Sequence, residues 1–335
     1  MKRRWLYYIL IIAFVVLIVS RFTEAQKLVR TLSRGRPEWV AAALLFQCVY
    51  YLIFTAVFQS ALWTVEVSGT LREYIPVWFT SVFLNIAAPS AGMTGAAVFI
   101  DDAARRGQSP ARAAAGTILV LVADYSAFSL VMISGMIVLF ATRNLHAYEV
   151  IAAVILLVFI ISLSSILLMG LWRPARLGRL LAWLQRTLTR IAARFHRRSF
   201  LPDDWAEHNA AEFSQAAASI KLHPERLVRT YALAMAAHLA ELMTLFMLVR
   251  AFRAPVHPGV LVAGYSVGIL FWLVAITPSG IGVVEGVMTL VLSSLGVPVE
   301  KATLIALSFR GLTFWLPLTI GFILLRRSRS FRHTE

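Results

Sequence analysis

Apolar residues run along this chain in stretches too long for a soluble core. Such stretches cover 5–22, 39–65, 110–141, 147–171, 227–252 and 299–325. A helix needs about 20 predominantly apolar residues to cross a ~30 Å hydrocarbon layer, and each stretch approaches or exceeds that length. None alternates with the period of two expected for a transmembrane β-barrel strand. Two further apolar segments are interrupted. In 74–106 the run that starts at Tyr74 meets Asn85 and then Pro89-Ser90-Ala91-Gly92. A short helix is expected after this break, closing on Asp101, Asp102, Arg105 and Arg106. In 259–296 the run from Val260 to Ile276 stops at Thr277-Pro278-Ser279-Gly280-Ile281-Gly282, and a second short helix follows. Proline removes a helical hydrogen bond and glycine loosens the backbone, so both segments should break near bilayer depth.

The interrupted segments have the same layout. Pro89 and Gly107 are 18 positions apart, as are Pro278 and Gly296. Each proline is followed by serine and glycine, each closing glycine by another proline (Pro110, Pro298), and each unit leads into a long span. Discontinuous helices in corresponding positions of two halves are a signature of transporters built as inverted repeats. The pattern therefore predicts an all-α polytopic membrane protein of six full transmembrane helices and two Pro/Gly-broken re-entrant hairpins. One membrane domain should fill 1–335, with repeat cores at 74–141 and 259–325 and a basic cytoplasmic loop at 172–229.

Composition agrees with this reading. Of 335 residues, 59% are hydrophobic and 15% charged, and the mean hydropathy is +0.75. Soluble domains run at about 45–50% apolar and ~25% charged, which excludes a soluble globular or disordered chain. Cys48, the single cysteine, cannot form an internal disulfide. The formal charge of +15 would suggest nucleic acid in a soluble protein, but here the bases cluster between apolar spans. Membrane orientation and anionic lipid are the better explanation, with no nucleic-acid partner.

With two re-entrant hairpins and both termini inside, 22 Lys and Arg fall in cytoplasmic segments and nine in external ones, five of them within 21–38. Lys2, Arg3 and Arg4 precede the first apolar run, and no small-x-small cleavage pattern follows it, so an uncleaved signal-anchor helix is expected. In 177–195, Leu180, Leu184, Leu188 and Ile191 alternate with arginines at helical spacing, as in a basic helix lying on a membrane surface. These features predict a bacterial inner-membrane protein.

Ionisable residues inside a bilayer cost at least ~2.5–3.5 kcal/mol on insertion scales, so each needs a reason. Asp124 lies mid-span, Glu285 follows the second break and Arg310 sits in the last span. His238 and Glu241 share the fifth of the uninterrupted spans, and Asn85 stands beside the first break. Either these residues form a polar pocket, or Glu285 and Arg310 are an ion pair that merely pins helices together. His238 and Glu241 are three apart, as in some helical metal sites, but no further ligands converge and no metal or cofactor is expected. Ser90 and Ser279 lack a nucleophile-elbow context, and there is no nucleotide-binding glycine pattern, so enzymatic activity is not expected.

The stretch Thr277-Pro278-Ser279-Gly280-Ile281-Gly282-Val283-Val284-Glu285-Gly286 carries a family resemblance. So do Leu295-Gly296-Val297-Pro298 and the run from Phe309-Arg310-Gly311 to Pro317. Together they resemble the C-terminal signature of the lysylphosphatidylglycerol synthase transmembrane region, the flippase-like half of the multiple peptide resistance factor. Pro89-Ser90-Ala91-Gly92 to Gly107 resembles that family's other block, and the similarity covers about 5–327. The resemblance implies a lipid translocator, with Pro278, Gly280, Gly282, Glu285 and Arg310 at recurrent positions. Because Glu335 follows shortly after the last span, no aminoacyl-transferase domain is expected.

Site candidates are therefore Pro89, Gly92, Asp124, Pro278, Gly280, Gly282, Glu285 and Arg310. The helix ends after Pro89 and Pro278 would offer backbone N–H groups to phosphate, and Arg310 a charge-assisted contact. The expected activity is passage of a polar, anionic or glycosylated lipid between leaflets. The alternative is a non-transporting scaffold or accessory subunit for a lipid-linked glycosyltransferase or another lipid-modifying enzyme. Membrane lipids are the expected partners, and a homo-oligomer is compatible with the sequence.

Overall fold

The computed structural model describes residues 31–87, 93–194, 202, 204–274 and 280–327. The first apolar run, 5–22, and the candidates Pro89, Gly92 and Pro278 lie outside the described residues. Everything regular within them is helical. The helices are α1 (Pro37–Thr64), α2 (Leu71–Ala87), α3 (Met93–Arg105), α4 (Pro110–Ala141), α5 (Ala147–Trp172) and α6 (Pro174–Arg194). Then come α7 (Trp205–Leu222), α8 (Pro224–Ala251), α9 (Pro258–Val274) and α10 (Val283–Ser294). The described residues close with α11 (Val299–Arg310), a π turn (Gly311–Trp315) and α12 (Leu316–Arg327).

Proline sets many of these boundaries. It opens α1, α4, α6, α8 and α9, where its missing N–H would be unpaired in any case and its fixed φ suits the first turn. The two closing glycines of the repeated pattern adopt the same conformation. Gly107 (φ +72°) ends α3 and Gly296 (φ +95°) ends α10, in the left-handed region that glycine enters without strain. Residues beyond each glycine fold back: the Gln108 N–H donates to the Ala103 carbonyl at 2.9 Å and the Val297 N–H to the Leu292 carbonyl at 3.0 Å.

Among the described residues, five helices are long and apolar enough to cross a membrane: α1, α4, α5, α8 and the continuous unit Val299–Leu324. They correspond to five of the six stretches read from the sequence. On α5, Ile151, Ile155 and Ile161 are exposed, and Ile137 and Phe140 of α4 likewise point outward. Lipid, not water, is the solvent for which such surfaces are built. The most extensive helix pair, α1 with α8, buries small residues that let the backbones approach closely, including Ala43, Ala61, Ala234 and Ala237. Ser60 and Thr230 hydrogen-bond across it at 2.8 Å.

Each interrupted segment folds as an antiparallel helical pair. In the first, α2 packs on α3, and an ion pair between Glu73 and Arg106 (2.9 Å) joins the two feet. In the second, a Cβ at Gly264 would meet Leu292 and one at Gly268 would meet Met288, so α9 and α10 also run side by side in opposite directions. The two units then exchange partners. α4, which follows the first hairpin, packs on α9 of the second; α12, which follows the second, packs on α2 of the first. A glycine makes each contact close. A Cβ at Gly135 would lie 2.5 Å from Ser266 Oγ, and one at Gly321 2.3 Å from the Phe79 carbonyl oxygen.

The region 172–229 holds two helices where the sequence suggested one. α6 is the expected basic amphipathic helix, with Leu180, Trp183 and Leu184 exposed on its apolar face. α7 packs against it and also docks on α4 and α5. Arg112, in the first turn of α4, bonds Glu212 at 2.8 Å, Gln215 at 2.7 Å, and Glu66. That contact holds the Glu212 carboxyl below the ordinary carboxylate range. Segments that the charge count places on one face of the membrane are joined by hydrogen bonds. Ser68 meets Gln108 (2.8 Å) at one end of the bundle. At the other end, Arg36 N–H reaches the Ala251 carbonyl (3.1 Å) and Lys301 Nζ the Arg253 carbonyl (2.8 Å).

Candidate functional site

A cavity of about 190 Å³ lies where the two hairpins, α1, α4, α8 and α11 converge. Its walls are largely aromatic, with Tyr50, Phe54, Trp78, Phe128, Trp272 and Phe314 among them. Into this apolar lining project Asn85, Asp124, His238, Glu241 and Arg310. These residues come from α2, α4, α8 and α11, so ionisable groups far apart in sequence meet in one place.

At the second hairpin, Gly280 (φ +69°) and Gly282 (φ +82°) turn the chain into α10 through conformations that an L side chain rarely adopts. Three residues on, Glu285 reaches back so that its Oε2 accepts the Gly282 N–H at 2.7 Å. Its Oε1 accepts from Arg310 Nε at 3.0 Å. One N–H that the sequence offered to a phosphate is thus held by the protein's own carboxylate. The arginine side chain is 6% exposed and its guanidinium lies over the Phe314 ring, 4.7 Å from the centroid. The first hairpin repeats the device with a neutral group: Asn85 Oδ1 of α2 accepts the Gly95 N–H in the first turn of α3, at 2.6 Å.

Arg310 is the last residue before the π turn, and Pro317, which has no N–H to donate, follows that turn closely. π turns are frequent at functional sites because the widened ladder frees a carbonyl. Here the Tyr51 hydroxyl of α1 donates to the Leu312 carbonyl, tying the turn to the cavity wall.

Opposite the arginine, α8 presents His238 and Glu241 one turn apart, both 5% exposed. His238 Nε2 lies 3.1 Å from Asp124 Oδ1 and 3.2 Å from the Asp124 carbonyl. Its Nδ1 lies 2.8 Å from the hydroxyl of the fully buried Tyr265, which donates to Glu241 Oε2 at 2.8 Å. Tyr265 separates the glutamate from the histidine, and among the described residues no three metal-ligand side chains converge.

Of the eight candidates read from the sequence, Asp124 and Arg310 line this cavity, and Glu285 joins them through its bond to Arg310. Gly280 and Gly282 shape the turn beneath it. His238 and Glu241 belong to the polar pocket weighed from the sequence but not to its eight site candidates. Tyr265 was missed entirely. Its one signal was a tyrosine in the apolar run of α9, whose hydroxyl would need a partner.

The family model for the lysylphosphatidylglycerol synthase TM region matches residues 5–321. The chain is also 21% identical over 325 residues to the UPF0104 membrane protein MJ1595 of Methanocaldococcus jannaschii, covering 94% of this chain and 92% of that protein.

Proposed function

Because the chain belongs to the lysylphosphatidylglycerol synthase transmembrane-region family, we propose that it is a lipid translocator that passes a polar or anionic headgroup through the cavity between its hairpins. The observation that carries this reading is Arg310, a buried cation beside a cavity of about 190 Å³ and aligned by Glu285 and Phe314. A charge at bilayer depth is costly, and the cavity beside Arg310 gives that cost a use. In this reading α2–α3 and α9–α10 are membrane re-entrant hairpins of an inverted repeat, and their exchanged packing on α12 and α4 is the contact such symmetry requires. The headgroup phosphate meets Arg310 while the acyl chains stay in lipid. The aromatic walls exclude water, which strengthens the charge-assisted contact.

Copurification tests the substrate class. Purified chain should carry phospholipid or glycolipid with an anionic headgroup, enriched over the membrane it came from when measured by native lipidomics. A lipid complement identical to the bulk membrane, with a lipid-modifying enzyme copurifying instead, would support the scaffold alternative.

Orientation has its own test. With cysteine at Arg190 or Asn144 in a Cys48→Ala background, an impermeant thiol reagent on intact cells should label position 144 and spare 190 until lysis. The expectation follows from the excess of bases on one face. Labelling at 190 first would invert the topology.

A further inference from the structure

We propose that Asp124, His238, Tyr265 and Glu241 form a proton relay that couples headgroup transfer to a proton gradient. This proposal rests on the translocation reading above and supplies its energy source. The relay spans three helices: Tyr265 joins His238 and Glu241 through hydrogen bonds of 2.8 Å each, and Asp124 Oδ1 stands 3.1 Å from His238 Nε2 without yet forming a hydrogen bond. A small turn of the Asp124 carboxyl completes the first link, and the remaining heavy atoms need move little for a proton to pass. Asp124, with 14% of its side chain exposed, faces the cavity, whereas the Tyr265 hydroxyl has no exposure. A carboxyl proton acquired at Asp124 passes to His238 Nε2 as the Nδ1–H bond breaks and its proton goes to the Tyr265 oxygen. Tyr265 releases its own hydroxyl proton to Glu241 Oε2. One O–H bond is lost at Asp124 and one forms at Glu241; the imidazole changes tautomer, and the tyrosine ends as it began.

The position of that proton matters because of Arg310. The charged and titratable groups facing His238 are Asp124 from α4, Tyr265 from α9, Glu241 on its own helix and, from α11, Arg310, whose charge is felt at Glu241. Tyr50 and Tyr51 stand within electrostatic reach on α1. When Glu241 is ionised, it competes with Glu285 and with any incoming phosphate for the one guanidinium. When the relay has delivered its proton there, that competition ends. Among the described residues, three carboxylates face one arginine and one imidazole around a largely apolar cavity, so an anionic headgroup is best admitted together with a proton. Proton and headgroup then enter and leave as a pair.

The test uses the full chain in phosphatidylcholine vesicles with a trace of fluorescently labelled phosphatidylglycerol and the membrane potential clamped. One proton per lipid converts a gradient of one pH unit into about a tenfold leaflet asymmetry, since one unit is a factor of ten in proton activity. The asymmetry should reverse with the gradient, and an internal pH dye should report protons moving with the lipid. Tyr265→Phe keeps the ring but removes the bridging hydroxyl, so its leaflet ratio should fall to about one under the same gradient. If that variant is not monodisperse, the wild-type gradient response and dye signal decide. Lipid movement indifferent to the gradient, or an unaltered response in a folded Tyr265→Phe variant, overturns the relay alone. Failure to move lipid under any gradient overturns translocation as well.

Discussion

Arg310→Met should cost up to about 3–5 kcal/mol of stability, because it leaves the partly buried Glu285 as an uncompensated charge. A domain has only about 5–15 kcal/mol in total, so the single variant should be recovered in low yield and poorly monodisperse after extraction. Adding Glu285→Gln should rescue it. The glutamine oxygen can still accept the Gly282 N–H, methionine replaces the arginine stem, and no charge is left unmatched. Rescue of folding does not imply rescue of binding. A hydrogen bond to a charged group contributes about 1.5–3 kcal/mol, so the folded double variant should hold anionic lipid some 10–100-fold more weakly. A double variant that folds and keeps its full lipid complement would reduce the pair to a structural strut.

Gly321 is the second position where a small change should have a large effect. An added methyl group would lie 2.3 Å from the Phe79 carbonyl oxygen and 3.0 Å from Phe83 Cβ. A backbone carbonyl cannot rotate away as a side chain can, so α12 must move off α2. Overpacking of this kind costs about 1–3 kcal/mol, and Gly321→Leu should exceed Gly321→Ala. Gly286, in α10, provides the control. A Cβ there meets nothing within 4 Å, and alanine is the better helix former by about 0.8–1.0 kcal/mol, so Gly286→Ala should be neutral or stabilising. Thermal unfolding in detergent compares the three. A Gly321→Leu variant as stable as wild type would contradict the close α2–α12 contact on which the exchanged packing depends.

Local chemistry made much of the fold legible. The long apolar runs became α1, α4, α5 and α8 because nothing within them interrupts the helix, and the unit around α11 continues through a π turn before Pro317. The two hairpins could be read because proline and glycine punctuate them at equal spacing, and Gly107 and Gly296 proved to be matched left-handed caps. α7 was hidden. It lies in a loop whose arginines dominate the composition, and its short alanine-rich face carries little periodic signal. The contact of Gly321 with Phe79 was equally hidden, since glycine in an apolar span does not reveal which helix approaches it.

The site divides along the same line. Glu285 and Arg310 stood out because a charge in an apolar segment demands an explanation, and the pairing weighed from sequence is present at 3.0 Å. Asp124 stood out for the same reason, but its partner His238 is 114 positions away and no local pattern joins them. Tyr265 looks like packing until its neighbours are known. Which buried groups exist was therefore readable from the sequence, whereas which of them share a proton depends on the crossing of α4, α8 and α9.

The most direct test of the central claim is the rate at which labelled phosphatidylglycerol changes leaflets in vesicles containing the wild-type chain or the folded Glu285→Gln/Arg310→Met variant. Passage through the cavity predicts clear movement above protein-free vesicles for the wild type, and a rate at least tenfold lower for the double variant, in line with the lost charge-assisted contact. Equal rates for the two proteins, or wild-type vesicles no faster than empty ones, would contradict it.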